Sequence, residues 1–491
     1  MAKQVPKLLF RVEPGYTFEE DVSAPKLQSD NIIVGHLNPS APPESFFIGK
    51  VAEYGTSRGV WLDYDAAHAI YIVGKRRSGK TYTLGVVMEG LVSNSWLRQG
   101  ATEEAVLMLD TMNTFITMPH NVDEVFGEAS EQFQEFKKWR LESERLNIVF
   151  FYPRGIAPPP EGASRQISIR PSDLDDKDWA ALFGLDTYSD PMGQLISDVY
   201  ERVALNGYRN LNGQQLNPNQ SYSIDDLLNC IEMCGDISAG YHQETIRGVQ
   251  ARLRAIRRQA VISDEGVDVR DLFVPGRLSI LLLRDIDQDL RSLLVGVLVK
   301  KIMQFRSISD RFERLLRVHL QRIDTSTKKG DHEQAAKSKS KAAEYEAAAA
   351  NGLPRGWIII DEAHNYMPAK GITPSSAPLK KYVNEGRNLG LSVVMATQNP
   401  SGLEPSIRRN ADILIIHSLS MREDIVAVEG MANTLIPSAF EFGQQKVSTR
   451  AFEQLVRSLP MGYAVISSDV ANRVFVLRIR PRTTVHGGFE Y

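Results

Sequence analysis

The sequence predicts an α/β protein built on a parallel sheet, and three observations carry that prediction. Ala69-Ile70-Tyr71-Ile72-Val73 is a compact apolar run, followed by a Gly-rich turn and a helical stretch, TYTLGVVMEGLV. Comparable runs recur as AVLMLD (Ala105 to Asp110), LSILLL, WIIID, LSVVMATQ and DILIIHS. Between them lie segments whose apolar residues return at three- and four-residue spacing. Short apolar runs with no polar alternation read as strands buried on both faces, and their alternation with helices sets them parallel.

The remaining elements follow in chain order. Up to about Tyr64 the chain reads as short strands, KLLFRVE, NIIVGHL and FFIGKVAEYG, separated by breakers such as Pro14-Gly15 and Asn38-Pro39. This predicts a small β-barrel or sandwich over residues 1–64. Residues 65–190 open the core, with an irregular acidic and Pro-rich stretch from about Pro119. Residues 191–275 form a helical insertion carrying YERVALNGY, IDDLLNCIEMC and ETIRGVQARLRAIRRQAV. The core continues over 276–323, where LSILLL precedes a long apolar helix through SLLVGVLVKKIMQF. Residues 324–352 contain no Val, Ile, Leu, Met, Phe or Trp and cannot bury a core, which predicts a solvated helix or a disordered insert, disorder being preferred. The core resumes over 353–458, and 459–491 ends in the alternating strand RVFVLRIR. No internal repeat of fixed period is present.

With 491 residues the chain is too long for one ordinary domain. Lys and Arg (57) nearly balance Asp and Glu (60), so a chain coated with basic residues for nucleic acid is excluded, although local basic faces are not. Two cysteines exclude a disulfide framework. No apolar run is long enough to span a bilayer, and MAKQVPKLLFRVEPG lacks the apolar stretch of a signal peptide. The expectation is a cytoplasmic protein with no membrane partner.

The chemistry concentrates at four places. Gly74-Lys75-Arg76-Arg77-Ser78-Gly79-Lys80-Thr81 matches G-x-x-x-x-G-K-[ST], after a strand and at the start of a helix. The glycines let backbone N–H groups converge on phosphates, Lys80 reaches the β- and γ-phosphates of ATP, and the Thr81 hydroxyl binds Mg²⁺. In Trp357-Ile358-Ile359-Ile360-Asp361-Glu362 an apolar strand ends in paired carboxylates, Asp361 for the magnesium shell and Glu362 to polarise the attacking water. His364 completes a D-E-A-H string, read as a coincidence of spelling. Thr397 and Gln398 end the next strand, where an amide can sense the γ-phosphate. Arg387 is placed to serve a neighbouring subunit's nucleotide as a finger, with Arg408 and Arg409 as competitors.

Together these segments resemble the HerA branch of the HerA/FtsK family of ring-forming, DNA-translocating ATPases. The resemblance runs through FFIGKVAEYG, HAIYIVGKRRSGKTYTLGVVMEGL, VLMLDTMNTF, VPGRLSILLL, WIIIDEAHNYMP, NEGRNLGLSVVMATQNPSGLEPSIRRNADILIIHSL and RVFVLRIRPRTTVHGG. It implies a RecA-like P-loop ATPase core with an N-terminal small β-barrel, a helical insertion and a C-terminal brace, assembled as a homo-hexamer around double-stranded DNA. By resemblance Lys80, Thr81, Asp361, Glu362 and Gln398 line the nucleotide of one subunit and Arg387 acts from the next. Asp110 matches an acidic family position whose role is not assigned. Two departures stand out: Arg76 and Arg77 add charge in the phosphate loop, and DTMNTF replaces the usual D-x-x-G-E segment.

Weaker signals read blandly. Cys230 and Cys234 lack two further zinc ligands and read as core residues. Arg252, Arg254, Arg257 and Arg258 offer either a phosphate-binding face or a solvated one, and Arg478, Arg480 and Arg482 pair with acidic neighbours. The functional expectation is an ATP hydrolase coupled to DNA translocation or unwinding, with a partner nuclease or effector. The alternative is a ring serving mainly as scaffold and regulator of an antiphage effector, a nuclease or a sirtuin-like NAD hydrolase.

Overall fold

The computed structural model describes residues 31–36, 44–52, 58–432, 440–442, 445–447, 449–468 and 473–487. Eight strands were anticipated from local sequence: β1 (Ile32–Val34), β2 (Ser45–Val51), β4 (Ala69–Val73), β6 (Ala105–Asp110), β11 (Leu278–Leu282), β12 (Gly356–Ile360), β13 (Leu391–Thr397) and β14 (Ile413–Ile416), with β18 (Arg473–Ile479) closing the chain. The structure adds β3 (Gly59–Asp63), β5 (Arg98–Gln99), β7 (Ile148–Pro153), β8 (Ala163–Ile167) and β17 (Tyr463–Ser468) to the same sheet. Two small ribbons stand apart, β9 (Tyr208–Arg209) with β10 (Gln215–Leu216) and β15 (Phe440–Phe442) with β16 (Gln445–Val447).

Strand order in the large sheet is β1-β3-β2-β18-β17-β14-β4-β13-β12-β6-β11-β7-β8, with β5 paired to β2. From β14 to β8 every neighbouring pair is parallel. β4, β6, β12, β13 and β14 are buried along their whole length. Alternate residues feed two separate cores, Tyr71 and Val73 on one face, Ile70 and Ile72 on the other. That two-sided burial is what the unbroken apolar runs predicted. β8 was not legible because its residues Ala163 to Gln166 are exposed at the sheet edge.

Of the expected N-terminal barrel, β1, β2 and β3 lie within the described residues and join the core sheet through the antiparallel β2–β18 pair; the predicted strand KLLFRVE lies outside them. The helix Lys80–Val92 that follows β4 is buried on nearly all sides. Its Gly85 is required by close approach, since a Cβ there would stand 2.6 Å from the Arg482 guanidinium.

The preference for disorder over 324–352 is corrected. The helix Gln288–Lys329 runs 42 residues from the sheet into that segment, Gly330 turns it with φ 74°, and His332–Ala349 returns along it. The Asp331 carboxylate caps the second helix by accepting from the Gln334 N–H at 3.0 Å. Ala, Lys and Glu form helices without a core to pack on, and the Tyr345 ring stacks on Phe312 at 6.2 Å.

Candidate nucleotide site

The C-terminal edges of four parallel strands converge, as ligand sites of open α/β sheets require. β4 delivers the phosphate loop, β6 ends at Asp110, β12 ends before Asp361 and Glu362, and β13 ends at Thr397 before Gln398. β13 lies between the phosphate-loop strand and the strand of the carboxylates.

The loop is tied internally and from one side. The Ser78 N–H and hydroxyl both donate to the Lys75 carbonyl, at 3.2 and 2.7 Å, and the Lys75 N–H donates to the Ser418 carbonyl at 2.7 Å. Arg77 (φ 61°) and Gly79 (φ 111°) adopt left-handed backbone, which curls successive N–H groups into an anion-binding concavity. Lys75, Arg76 and Arg77 are exposed, whereas Lys80 is buried and donates to the Lys75 carbonyl at 3.1 Å. Burial lowers the Lys80 pKa, an effect opposed by the Glu362 and Asp361 carboxylates.

Asp361 is buried, and its Oδ1 accepts the Glu362 N–H at 3.0 Å. Burial, then the charges of Glu362 and Asp110, push its pKa up to about 7. A buried carboxylate under that repulsion fits a cation beside it. Among the described residues no group of three or more His, Cys, Asp or Glu forms a metal site by itself. A magnesium ion here would therefore need substrate phosphate oxygens and the Thr81 hydroxyl as well, in keeping with how Mg²⁺ is usually held.

Glu362 sits in left-handed backbone (φ 51°), and its Oε2 accepts the Gln398 N–H at 3.3 Å. The Gln398 side chain is exposed at the strand end. Asp110, to which the sequence assigned no role, organises the loop that departs from the family pattern: its carboxylate accepts the N–H groups of Met112, Thr114 and Phe115 at 3.2, 3.2 and 2.9 Å.

His417 was missed. It is fully buried at the end of β14, where Nδ1 donates to the Tyr463 carbonyl at 3.0 Å, so that Nε2 accepts the Thr83 hydroxyl at 3.0 Å. Burial lowers its pKa to about 4, keeping the ring neutral next to Lys80. It locks the phosphate-loop helix to β14 and β17, and only the terminal His of DILIIHS could have signalled it.

Arg387 is not at this edge. It precedes β13, and its Nη2 donates to the Asn410 carbonyl and lies 3.2 Å from Asp412 Oδ1, which also accepts the Ala69 N–H at the start of β4. It therefore stands at the opposite end of the sheet from its own phosphate loop. Arg408 is half-buried and Arg409 exposed.

The weaker signals resolve simply. Arg254 pairs with Glu232 and Arg257 with Asp225, so half of the basic helix face is occupied by acids of a neighbouring helix. Cys230 and Cys234 are buried and form no disulfide. Arg480 and Arg482 are buried against Glu89 of the phosphate-loop helix, at 2.7 and 3.4 Å, and Arg478 pairs with Glu135 at 2.7 Å.

The family model described as "Helicase HerA, central domain" matches residues 46–302, from β2 through the phosphate loop and into the long helix. The chain belongs to that family. It is accordingly a P-loop ATPase of the HerA type and hydrolyses ATP. No curated protein matches the sequence. Among solved structures, the chain is similar to VirB4 of Thermoanaerobacter pseudethanolicus (13% identity, 89% of this chain and 97% of that one, TM-score 0.46). It is also similar to the bacterial conjugative coupling protein TrwBdeltaN70 (12%, 92% and 97%, 0.48) and to the genome packaging NTPase B204 from Sulfolobus turreted icosahedral virus 2 with AMPPCP (8%, 84% and 96%, 0.30). Among the described residues no helix is long and apolar enough to cross a membrane.

Proposed function

We propose that this HerA-family chain works as a cytoplasmic homo-hexamer that couples ATP hydrolysis to movement of double-stranded DNA, with a nuclease or other effector as partner. The observation that carries the ATPase half is the gathering of Lys80, Asp361, Glu362 and the end of β13 at one sheet edge. In this reading the loop N–H groups and Lys80 bind the β- and γ-phosphates. Thr81 and Asp361 would hold Mg²⁺, which when bound neutralises phosphate charge. Glu362 accepts the proton of the attacking water, whose position Gln398 helps to set. Arg387 reaches the nucleotide of the adjacent subunit and offsets the charge developing on the γ-phosphoryl group. The DNA half rests on family membership alone, because a fold does not fix a substrate.

ATP hydrolysis by the full chain, measured with and without linear duplex DNA beside Lys80→Ala, tests this reading. Stimulation by DNA, absent in the variant, is the expected result. Turnover indifferent to DNA would overturn the motor reading.

A further inference from the structure

His364 stands two residues beyond Glu362, with Nδ1 3.4 Å from Glu362 Oε2 and 2.9 Å from Thr397 Oγ1. Thr397 is fully buried at the end of β13, and its Oγ1 also accepts the Asn399 N–H at 3.0 Å. A hydroxyl oxygen has two acceptor sites, so it takes an Nδ1–H as well, and a proton on Nδ1 is the tautomer that faces a carboxylate favourably. The same Oε2 is met from its other side by the Gln398 N–H at 3.3 Å. Both contacts come from the end of β13, one directly and one through the imidazole. Glu362 meanwhile holds left-handed backbone, a conformation that persists only where surroundings fix it.

We infer that His364 is a positioning residue: its single Nδ1–H, bonded to Thr397 Oγ1 and shared at 3.4 Å with Glu362 Oε2, holds the Glu362 carboxylate in the orientation that meets the attacking water. The inference rests on the reading of Glu362 as the base. It gives the D-E-A-H histidine a task arising from this site's geometry rather than from its spelling.

The test uses the full chain under the conditions of its fastest ATP turnover. His364→Ala should lower kcat about 10- to 100-fold with KM for ATP and binding of a fluorescent ATP analogue unchanged, because misplacing a catalytic group costs rate rather than affinity. His364→Asn, whose side-chain N–H takes the place of Nδ1–H, should recover most of that loss. Thr397→Val should slow turnover as well and should add little to His364→Ala, since both remove one link. Wild-type kcat in His364→Ala, loss of analogue binding in parallel with kcat, or an Asn variant no better than Ala would each overturn the inference. Glu362→Gln separates the two claims: if it retains wild-type kcat, the base reading itself fails, whatever His364 does.

Discussion

His68 carries a positive charge in a place closed to water. It is fully buried, with Nδ1 2.7 Å from Asp412 Oδ2 and Nε2 3.2 Å from Asp63 Oδ2. Two carboxylates facing both ring nitrogens require both to carry protons. Burial lowers its pKa, but the hydrogen bonds and charges of Asp412 and Asp63 outweigh this and raise it to about 9. Around them stand His36, 3.1 Å from Asp63, and Arg387, 3.2 Å from Asp412. A histidine whose pKa rises on folding stabilises the fold fully below its unfolded pKa, near 6.5, and that contribution is lost as pH climbs through about 9. The shift corresponds to about 3 kcal/mol. The melting midpoint of the protein should therefore fall between about pH 6.5 and 9.5. His68→Gln should melt lower at pH 6 and lose most of that slope; an unchanged slope would show that other groups titrate. The Asp63 side of this was local, five residues before His68, but the sequence could not show that Asp412 reaches the other ring nitrogen from 344 residues away. Lys80, Asp361 and Glu362 were legible because each lies in a local motif whose spacing mirrors its geometry.

At the scale of elements, the phosphate-loop helix is held from behind by the C-terminal segment. The Glu89 carboxylate accepts from Arg480 Nη1, Arg482 Nε, the Thr483 and Thr484 N–H groups and the Thr484 hydroxyl, all buried. Arg480 is further bonded to the Phe47 and Val86 carbonyls, so β2, the helix and the brace meet at one ion-pair cluster. Removing one partner strands two buried guanidinium groups, which costs far more than the net worth of the pairs. Glu89→Ala should lower unfolding stability by about 3–5 kcal/mol, read from denaturant midpoints, while Glu135→Ala, whose partner Arg478 is partly solvated, should cost under about 1 kcal/mol. Equal costs would show that the brace is held by its apolar contacts instead. The alternation of Arg478, Arg480 and Arg482 suggested acidic partners but not which ones, since strand periodicity gives a face and not what covers it. The helical hairpin was legible only as one of two alternatives for a related reason: a lack of core-forming residues suits a solvated helix as well as disorder, and Ala, Lys and Glu with i,i+4 pairs such as Glu333–Lys337 and Asp324–Lys328 decide for the helix.

For the whole molecule, the proposed ring requires one end of a subunit's sheet to serve the other end of its neighbour's. β4 runs from Ala69, beside the Asp412 that pairs with Arg387, to the phosphate loop, a rise of roughly 17 Å over its five residues. Arg387 is thus remote from its own phosphate loop, held by Asp412 and the Asn410 carbonyl, and the proposed finger role requires the nucleotide of another chain. Without a neighbour, Arg387 is a half-exposed cation paired with the buried Asp412. Mixed assembly separates the two. A ring built from equal amounts of Glu362→Gln and Arg387→Ala chains combines, at about a quarter of its interfaces, an intact Glu362 with an intact Arg387 from the next subunit. If Arg387 acts between subunits, the mixture should recover about a quarter of wild-type turnover from two parents that each have almost none. A mixture no more active than its parents would place the finger elsewhere, and repeating the experiment with Arg408→Ala and Arg409→Ala would locate it. Equal activity of the Arg387→Ala parent and the wild type would instead leave Arg387 as a structural anchor of β4, a role its bonds to Asp412 and Asn410 already allow.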